Sequence, residues 1–332
     1  MKIVITGATG FLGLNLANRL YSKGHDITAL GRNKTKGKKL EDLGIKFLRC
    51  SLSETEIYKT SIISTDVVIH CAALSSPWDK WENFVESNIT GTEKLLELVK
   101  LNKKIRFIHI SSPSIYFKFK DEFNITEDKD LSKPFASMYT ESKFEAEKVV
   151  DKVCTEENLF YITLRPRGIF GPGDETLLPR LIRVASKKGL PQLGDGKNII
   201  DLTYVDNVSQ SIELCLTAPD HCRGKKYNIT NGEPVELWPF LNTLFNRLNI
   251  PKSSKVLSFK KISFIASVME FLYRYLPLPG EPPLTHYTVG LLSRSQTLSI
   301  KNAQEDLKYD PEIKMDQALD NVVKWWEETQ HA

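Results

Sequence analysis

The sequence predicts an α/β fold, a doubly wound parallel sheet followed by a smaller C-terminal domain. Three observations predict it. Short apolar runs alternate with helical patterns through the first half of the chain, as in parallel sheets. These runs lack polar alternation, which is typical of strands covered on both faces. Three glycines at a spacing of three follow the first apolar run directly.

The first thirteen residues predict a strand, a glycine turn and a helix. Residues 2–5 are an apolar, β-branched run, and a helical periodicity begins at residue 12. This order is typical of the first unit of a dinucleotide-binding fold. We expect Gly7 to turn the chain off the strand, Gly10 to admit a pyrophosphate and Gly13 to let the helix pack closely. Unpaired N–H groups at the helix start favour negative charge there. A turn without a ligand is the less favoured alternative.

The later elements continue the alternation. Further strands are predicted at residues 27–30, 45–48, 67–70, 105–110 and 161–164, and helices at 81–100 and 138–153. After Gly168 the pattern becomes irregular, with helices predicted at 177–186, 205–216, 237–248 and 315–328 and a strand at 226–229. We therefore predict a dinucleotide-binding domain at residues 1–168 and a substrate domain at residues 169–332, whose segments interleave with the sheet.

Composition limits the class of protein. The 332 residues are 41% hydrophobic and 26% charged, as in an ordinary globular protein. A net charge of +4 is too small to predict nucleic-acid binding. The five cysteines are scattered, and their spacing predicts no metal site and no disulfide framework, so a reducing, cytoplasmic compartment is expected. The chain starts on a strand rather than a secretory signal, and no apolar run is long enough to span a bilayer.

A tyrosine and a lysine stand at the start of the helix predicted at 138–153. Tyr139 and Lys143 are four residues apart, so their side chains share one face. A free phenol has a pKa of about 10 and a nearby ammonium lowers it, which makes the pair a candidate proton donor to a carbonyl. Ser111 and Ser112 end the preceding strand, where such sheets bind ligands. An exposed helix face without function is the alternative, which the glycine turn and the serines disfavour.

These residues and several further motifs resemble the extended short-chain dehydrogenase/reductases over nearly the whole chain. The motifs occur in that family's order: TGATGFLG at 6–13, HCAA at 70–73, NITGT at 88–92, ISSPSIY at 110–116, YTESK at 139–143, RPRGIFGPGD at 165–174 and YVDNV at 204–208. The resemblance implies a Rossmann-type fold that binds a nicotinamide dinucleotide.

The resemblance also implies roles for single residues. Tyr139 is the acid/base, and Lys143 lowers its pKa and holds the nicotinamide ribose. Ser112, rather than Ser111, orients the substrate oxygen, and Asn88 supports the catalytic site from the long helix. The residues expected to contact the cofactor are Gly7, Thr9, Gly10, Phe11, Leu12, Gly13, Arg32, Leu52, Ala72, Ala73, Ser111, Tyr139, Lys143, Pro166, Gly168 and Ile169.

Two departures from the family's pattern concern the cofactor. NAD-preferring members carry an acidic residue at the end of the second strand for the ribose hydroxyls. Here Gly31 and Arg32 stand at that place, followed by further lysines. A guanidinium binds a 2′-phosphate well, so NADP is favoured over NAD, with a solvated basic loop as the alternative. Ser51 and Leu52 replace the Asp-Leu pair that usually meets the adenine.

Within the family, the motif at 165–174 and the tail at 302–311 resemble the 3β-hydroxysteroid dehydrogenase branch, which includes enzymes of sterols and β-keto acyl chains. An apolar stretch at 262–276 suits a lipophilic ligand. We expect it to form a helix over the mouth of the substrate pocket, with one apolar stripe facing inwards. The stripe consists of Phe264, Val268, Phe271, Leu272 and Tyr275. A core helix, a homodimer contact and, less favoured, a membrane surface are the alternatives.

The sequence thus predicts an NADP(H)- or NAD(H)-dependent oxidoreductase that interconverts a secondary alcohol and a ketone on a lipophilic substrate. A nucleotide-sugar epimerase or dehydratase with tightly held NAD shares the tyrosine, lysine and serine, and is the alternative enzyme. A non-catalytic, dinucleotide-sensing protein is the alternative of another class. It is disfavoured because Tyr139 and Lys143 are both present.

Overall fold

The computed structural model describes residues 1–131, 133–251, 255–276 and 278–330. Its strands are β1 Lys2–Thr6, β2 Asp26–Gly31, β3 Lys46–Arg49, β4 Val67–His70, β5 Arg106–Ile110, β6 Glu122–Ile125, β7 Phe160–Pro166, β8 Ile169–Phe170, β9 Gln192–Leu193, β10 Ile199–Ile200, β11 Thr203–Tyr204, β12 Lys226–Ile229, β13 Val235–Glu236, β14 Val256–Leu257 and β15 Gln296–Leu298. Its α-helices are α1 Phe11–Ser22, α2 Lys34–Asp42, α3 Thr55–Ile63, α4 Trp81–Phe84, α5 Gly91–Val99, α6 Met138–Glu156, α7 Leu178–Lys188, α8 Val205–Cys215, α9 Leu237–Arg247, α10 Phe259–Tyr275, α11 His286–Ser293, α12 Lys301–Leu307 and α13 Met315–Gln330.

Seven parallel strands form the main sheet in the order β12-β7-β5-β4-β1-β2-β3. Apolar side chains of α1, α8 and α12 cover one face, and those of α3, α5 and α6 cover the other. The predicted doubly wound sheet is therefore confirmed. Strands β2 and β3 extend the sheet on one side of β1, and β4, β5, β7 and β12 extend it on the other side. The strand order therefore reverses at β1. A crevice at the carboxyl end of such a reversal is where ligands bind in this architecture.

The helix predicted as one piece at 81–100 is interrupted in the structure. A π-helical segment, Val85–Thr90, separates α4 from α5. Such segments are rare and frequently occur at functional sites, and this one contains Asn88. The sequence pattern did not predict α2, α3 or β6, because these elements are short or carry many charged residues.

The chain beyond residue 168 contributes to two separate cores. Strand β12 joins the edge of the main sheet, and α8 and α12 pack on its face. Helices α7, α9 and α13 form a second apolar core with parts of α10 and α11. A four-stranded sheet, β13-β10-β15-β6, lies apart from the main sheet. The structure thus interleaves the two halves of the chain, and the boundary at residue 168 stays a prediction.

The stretch at 262–276 lies in helix α10 up to Tyr275, and the side chains of its expected apolar stripe are exposed. The buried side of α10 is formed by Ile262 and Ala266. Phe264, Phe271 and Tyr275 are 71%, 61% and 68% exposed. The stripe that the spacing selected is therefore the opposite side of the helix from the packed one, and the expectation that it lines the substrate pocket stays a prediction. Within the described ranges, no helix combines the length and apolar character needed to cross a membrane.

Candidate active site

The turn after β1 lies against the loop that follows β4. Gly7 has a φ of +67°, and a Cβ there would stand 2.7 Å from the Ala72 backbone. A Cβ on Gly13 would stand 2.3 Å from the carbonyl oxygen of Gly7. Both positions therefore require glycine. Gly10 is the N-cap of α1 and provides no side-chain hydrogen bond, so the first N–H groups of α1 are left for a ligand.

A cavity of about 510 Å³ extends from this turn along the carboxyl edge of the sheet. Seven of the predicted cofactor contacts line it: Gly7, Thr9, Gly10, Arg32, Leu52, Ala72 and Ala73. Phe11, Leu12 and Gly13 lie at the start of α1 beside it, and the other predicted contacts lie in or after β5 and β7 and on α6. The lining also includes Ser51, which stands in place of the family's aspartate, and Ser53 and Lys94, which the sequence did not indicate because only the folded chain brings them to the cavity. A tight glycine turn and an uncapped helix start beside a cavity fit a dinucleotide.

Positive charge borders the end of this cavity beside β2. The Arg32 side chain is exposed and lines the cavity, and the Arg49 guanidinium donates a hydrogen bond to the Arg32 carbonyl, 3.3 Å away. Helix α2 begins here, with the Asn33 side chain accepting a hydrogen bond from its first turn. Lys36 is engaged elsewhere, because its ammonium pairs with Glu175 at 2.6 Å. Two guanidinium groups and a helix start therefore favour an anion at this end.

The predicted serine, tyrosine and lysine meet at the carboxyl end of β5. The Tyr139 hydroxyl lies close enough to the Ser112 and Ser75 hydroxyls for both to lower its pKa. Ser75 lies in the irregular loop after β4, where no sequence spacing pointed to it. Lys143 is 3% exposed, and its ammonium donates to the Ile110 carbonyl at 2.9 Å. A phenol that can give up a proton is thus held beside a serine hydroxyl.

The pKa of Tyr139 moves in the direction opposite to the one we expected. Burial raises the pKa of Tyr139, and the nearby Ser75 and Ser112 hydroxyls only oppose that change. Burial lowers the pKa of Lys143 to about 8, with Glu147 opposing. The expectation that Lys143 lowers the pKa of Tyr139 is therefore not met here, because burial dominates and the ammonium is directed at Ile110. A neutral phenol is the form suited to donate a proton.

Asn88 holds two parts of this site together without touching Tyr139 through its side chain. Its carbonyl oxygen accepts from the Leu74 N–H at 2.6 Å, and its amide donates to the Ser142 hydroxyl on α6 at 2.9 Å. The His70 ring, held neutral by burial that lowers its pKa to about 3, bonds Thr92 at 2.9 Å. These contacts connect the loop after β4 with α5 and α6, as expected of a supporting asparagine.

Comparison with known proteins now identifies the family. Residues 3–230 match the NAD dependent epimerase/dehydratase family. The chain belongs to this family. The resemblance to the extended short-chain dehydrogenase/reductases, inferred from the motifs, is thereby confirmed.

Three relatives of the chain are similar over nearly their whole length. The uncharacterized protein YbjS of Escherichia coli K12 is 34% identical, over 98% of this chain and 97% of that protein. A 2-alkyl-3-oxoalkanoate reductase of Stenotrophomonas maltophilia is 31% identical, over 96% of this chain and 97% of the reductase. The decarboxylating sterol-4-alpha-carboxylate 3-dehydrogenase of Mus musculus is 27% identical, over 97% of this chain and 90% of the dehydrogenase.

Among solved structures, the fold is similar to that of UDP-glucuronic acid 4-epimerase from Bacillus cereus in complex with NAD. The TM-score is 0.78 at 23% identity, and the match covers 99% of both chains. At this identity the similarity shows the shared Rossmann-type fold alone.

A buried ion pair supports the helix that carries the family's tyrosine and lysine. The Arg165 guanidinium and the Glu147 carboxylate form two hydrogen bonds, of 2.9 and 2.6 Å, and their side chains are 1% and 2% exposed. Tyr116 accepts a further hydrogen bond from Arg165. The Ser111 side chain lies beside Glu147, but within the described residues its hydroxyl has no hydrogen-bond partner. The structure therefore brings Ser112, and not Ser111, to Tyr139.

Proposed function

We propose that the chain is an NADP(H)-dependent oxidoreductase that interconverts a secondary alcohol and a ketone on a lipophilic substrate. The observation that carries the proposal is the placement of Tyr139 beside Ser112, next to the buried Lys143 and on the same sheet edge as the glycine turn. The nicotinamide, when bound, supplies or accepts the hydride.

The chain's own residues handle the substrate oxygen. In the reducing direction Tyr139 donates its phenolic proton to the carbonyl oxygen, and Ser112 holds that oxygen by a hydrogen bond. The raised pKa of Tyr139 keeps the phenol protonated and able to donate. Lys143 adds positive charge beside the site and holds the nicotinamide ribose, and Asn88 fixes α6 against the loop after β4.

The relatives favour an oxidoreductase of a lipophilic substrate over a nucleotide-sugar enzyme. Two of them are named as a reductase of oxoalkanoates and a dehydrogenase of sterol carboxylates. We propose that residues 169–332, where the structure describes them, form the substrate domain and that a small lipophilic molecule is the partner. We also propose a cytoplasmic location, because all five cysteines are unpaired.

The activity test is a turnover screen of the purified chain with NADPH, NADH and their oxidised forms. Panels of 3-hydroxy- or 3-oxo-acyl compounds, hydroxysteroids and UDP-sugars are offered with each cofactor. Turnover of the lipophilic panels with stoichiometric change in NADPH absorbance is expected. Conversion of UDP-sugars without net change in the cofactor would instead establish an epimerase.

Cofactor choice gives a separate prediction at Arg32. A charge-assisted, bidentate contact to the 2′-phosphate contributes roughly 1.5–3 kcal/mol, so Arg32→Ser is expected to weaken NADPH binding roughly ten- to a hundredfold. NADH binding should stay unchanged. Fluorescence titration of both cofactors measures this. Lys38→Ser removes a charge from the adjacent helix α2 at a position that does not line the cavity, and it should change neither affinity. Tighter binding of NADH than of NADPH by the unchanged protein would contradict the NADP preference.

A further inference from the structure

Arg167 is a buried cation that the proposed chemistry does not use. It follows β7 directly, and only 8% of its surface is exposed. Its backbone is fixed, since its N–H donates to the Ile229 carbonyl at 3.0 Å and its carbonyl accepts from the Thr203 hydroxyl at 2.5 Å. Within the described residues, its guanidinium donates no hydrogen bond, and no carboxylate oxygen lies within 4.0 Å of it.

An unpaired guanidinium at this depth is costly for the fold. It carries five N–H donors, and buried charges in proteins are almost always paired. Burial lowers the pKa of Arg167, and Tyr287 and Asp201 only partly oppose this. Asp201 is itself occupied, because its carboxylate accepts the Leu298 N–H at 2.6 Å. Burial also raises the pKa of Asp201 to about 6, which weakens it as a permanent counter-charge.

Arg167 lies at the part of the site that contains Tyr139. Tyr287, on α11 of the proposed substrate domain, lies near enough to Arg167 and to Tyr139 for the charge of each to affect its pKa. Arg167 also stands between Pro166 and Gly168, in the segment expected to lie along the nicotinamide. Strand β7, which Arg167 follows, also lies next to β5, which Ser112 follows, so both residues stand at the same edge of the sheet.

We propose that Arg167 binds a carboxylate group of the substrate, next to the carbon that exchanges the hydride. The inference rests on the proposed function and narrows its substrate to 3-oxo and 3-hydroxy carboxylates. A guanidinium matches a carboxylate with two parallel hydrogen bonds, and burial strengthens such a pair. The names of two relatives fit this chemistry: in a 3-oxoalkanoate and in a sterol-4-carboxylate with its oxygen at carbon 3, one carbon separates the carboxylate from the reacting carbon.

The test compares a 2-alkyl-3-hydroxyalkanoate with its methyl ester, because the hydroxy acids are chemically stable. Binding of each to the full chain with NADP⁺ is measured by calorimetry, and oxidation is followed as NADPH absorbance. The unchanged protein should bind the acid about ten- to a hundredfold more tightly than the ester. Arg167→Met should abolish the preference for the acid by raising the KM of the acid, whereas Arg167→Lys should retain part of that preference. NADP⁺ affinity should not change in either variant.

Arg19→Met is the matched control, because Arg19 lies in the last turn of α1, at the end opposite the glycine turn, and pairs with Glu213 and Glu312. Its loss should leave the preference for the acid intact. Equal binding of acid and ester by the unchanged protein, or binding of neither, would overturn the role of Arg167. This comparison does not depend on whether a variant folds. If the unchanged protein binds the acid selectively and Arg167→Met abolishes that selectivity, but no oxidation is detected, the carboxylate site stands. The proposed oxidoreductase function would then be wrong.

Discussion

Tyr139→Phe is expected to lower turnover by about 10²- to 10⁴-fold, the usual contribution of a positioned acid/base. The change deletes one oxygen and little volume, so the packing against Phe84 remains. The change removes the proton donor that lies beside the Ser112 and Ser75 hydroxyls. Initial rates on the substrate found in the turnover screen, combined with cofactor titration, measure the effect. NADPH affinity should stay unchanged, because the ring and the Lys143 ammonium are retained.

Tyr21→Phe is the control for this variant, because Tyr21 is a partly exposed tyrosine on α1 and its hydroxyl is remote from Ser112 in the fold. Its turnover should equal that of the unchanged protein. A Tyr139→Phe protein that retained near-native turnover would remove Tyr139 from the mechanism. Loss of cofactor binding in the same variant would instead indicate a structural role for the hydroxyl.

Arg165→Met is expected to destabilise the protein by about 3–5 kcal/mol, because it leaves the Glu147 carboxylate buried without its partner. Both side chains are almost fully buried, and two hydrogen bonds join them. Urea unfolding followed by circular dichroism measures the change. The double variant Arg165→Met with Glu147→Gln should recover part of the loss, since no unpaired charge then remains.

The exposed pair of Lys301 and Glu305 provides the control, since these side chains are 73% and 61% exposed. Lys301→Met should lower the free energy of unfolding by less than about 1 kcal/mol.

The stability that the buried pair contributes should depend on pH, because the pKa of Glu147 is lowered in the folded protein. This contribution is complete above the ordinary pKa of 4.5, and it is lost as the pH falls through the pKa of the folded state. The difference between Arg165→Met and the unchanged protein should therefore narrow in acid. If Arg165→Met lowered the free energy of unfolding as little as Lys301→Met does, the buried pair would contribute little to stability.

The sequence by itself determined the parts of the molecule whose residues are neighbours along the chain. The glycine turn, its strand and its helix form one continuous segment, so the spacing of Gly7 and Gly13 was enough to predict a turn that the backbone now shows to require glycine. Tyr139 and Lys143 lie one helical turn apart, and Ser112 ends a strand that the apolar run already indicated. The roles of these residues were predicted from the motifs, which occur along the chain in the family's order.

Only the tertiary structure decided which surfaces meet. The stripe with Phe264 and Phe271 had correct helical spacing, yet periodicity does not tell which of two apolar sides packs, and the Ile262 side is the buried one. Ser75 and the unpaired Arg167 could not be found from spacing, because the loop after β4 and the segment after β7 approach Tyr139 through the folding of the sheet and of α11. The pKa of Tyr139 likewise depends on burial, which is a property of the assembled site rather than of the Tyr139–Lys143 spacing.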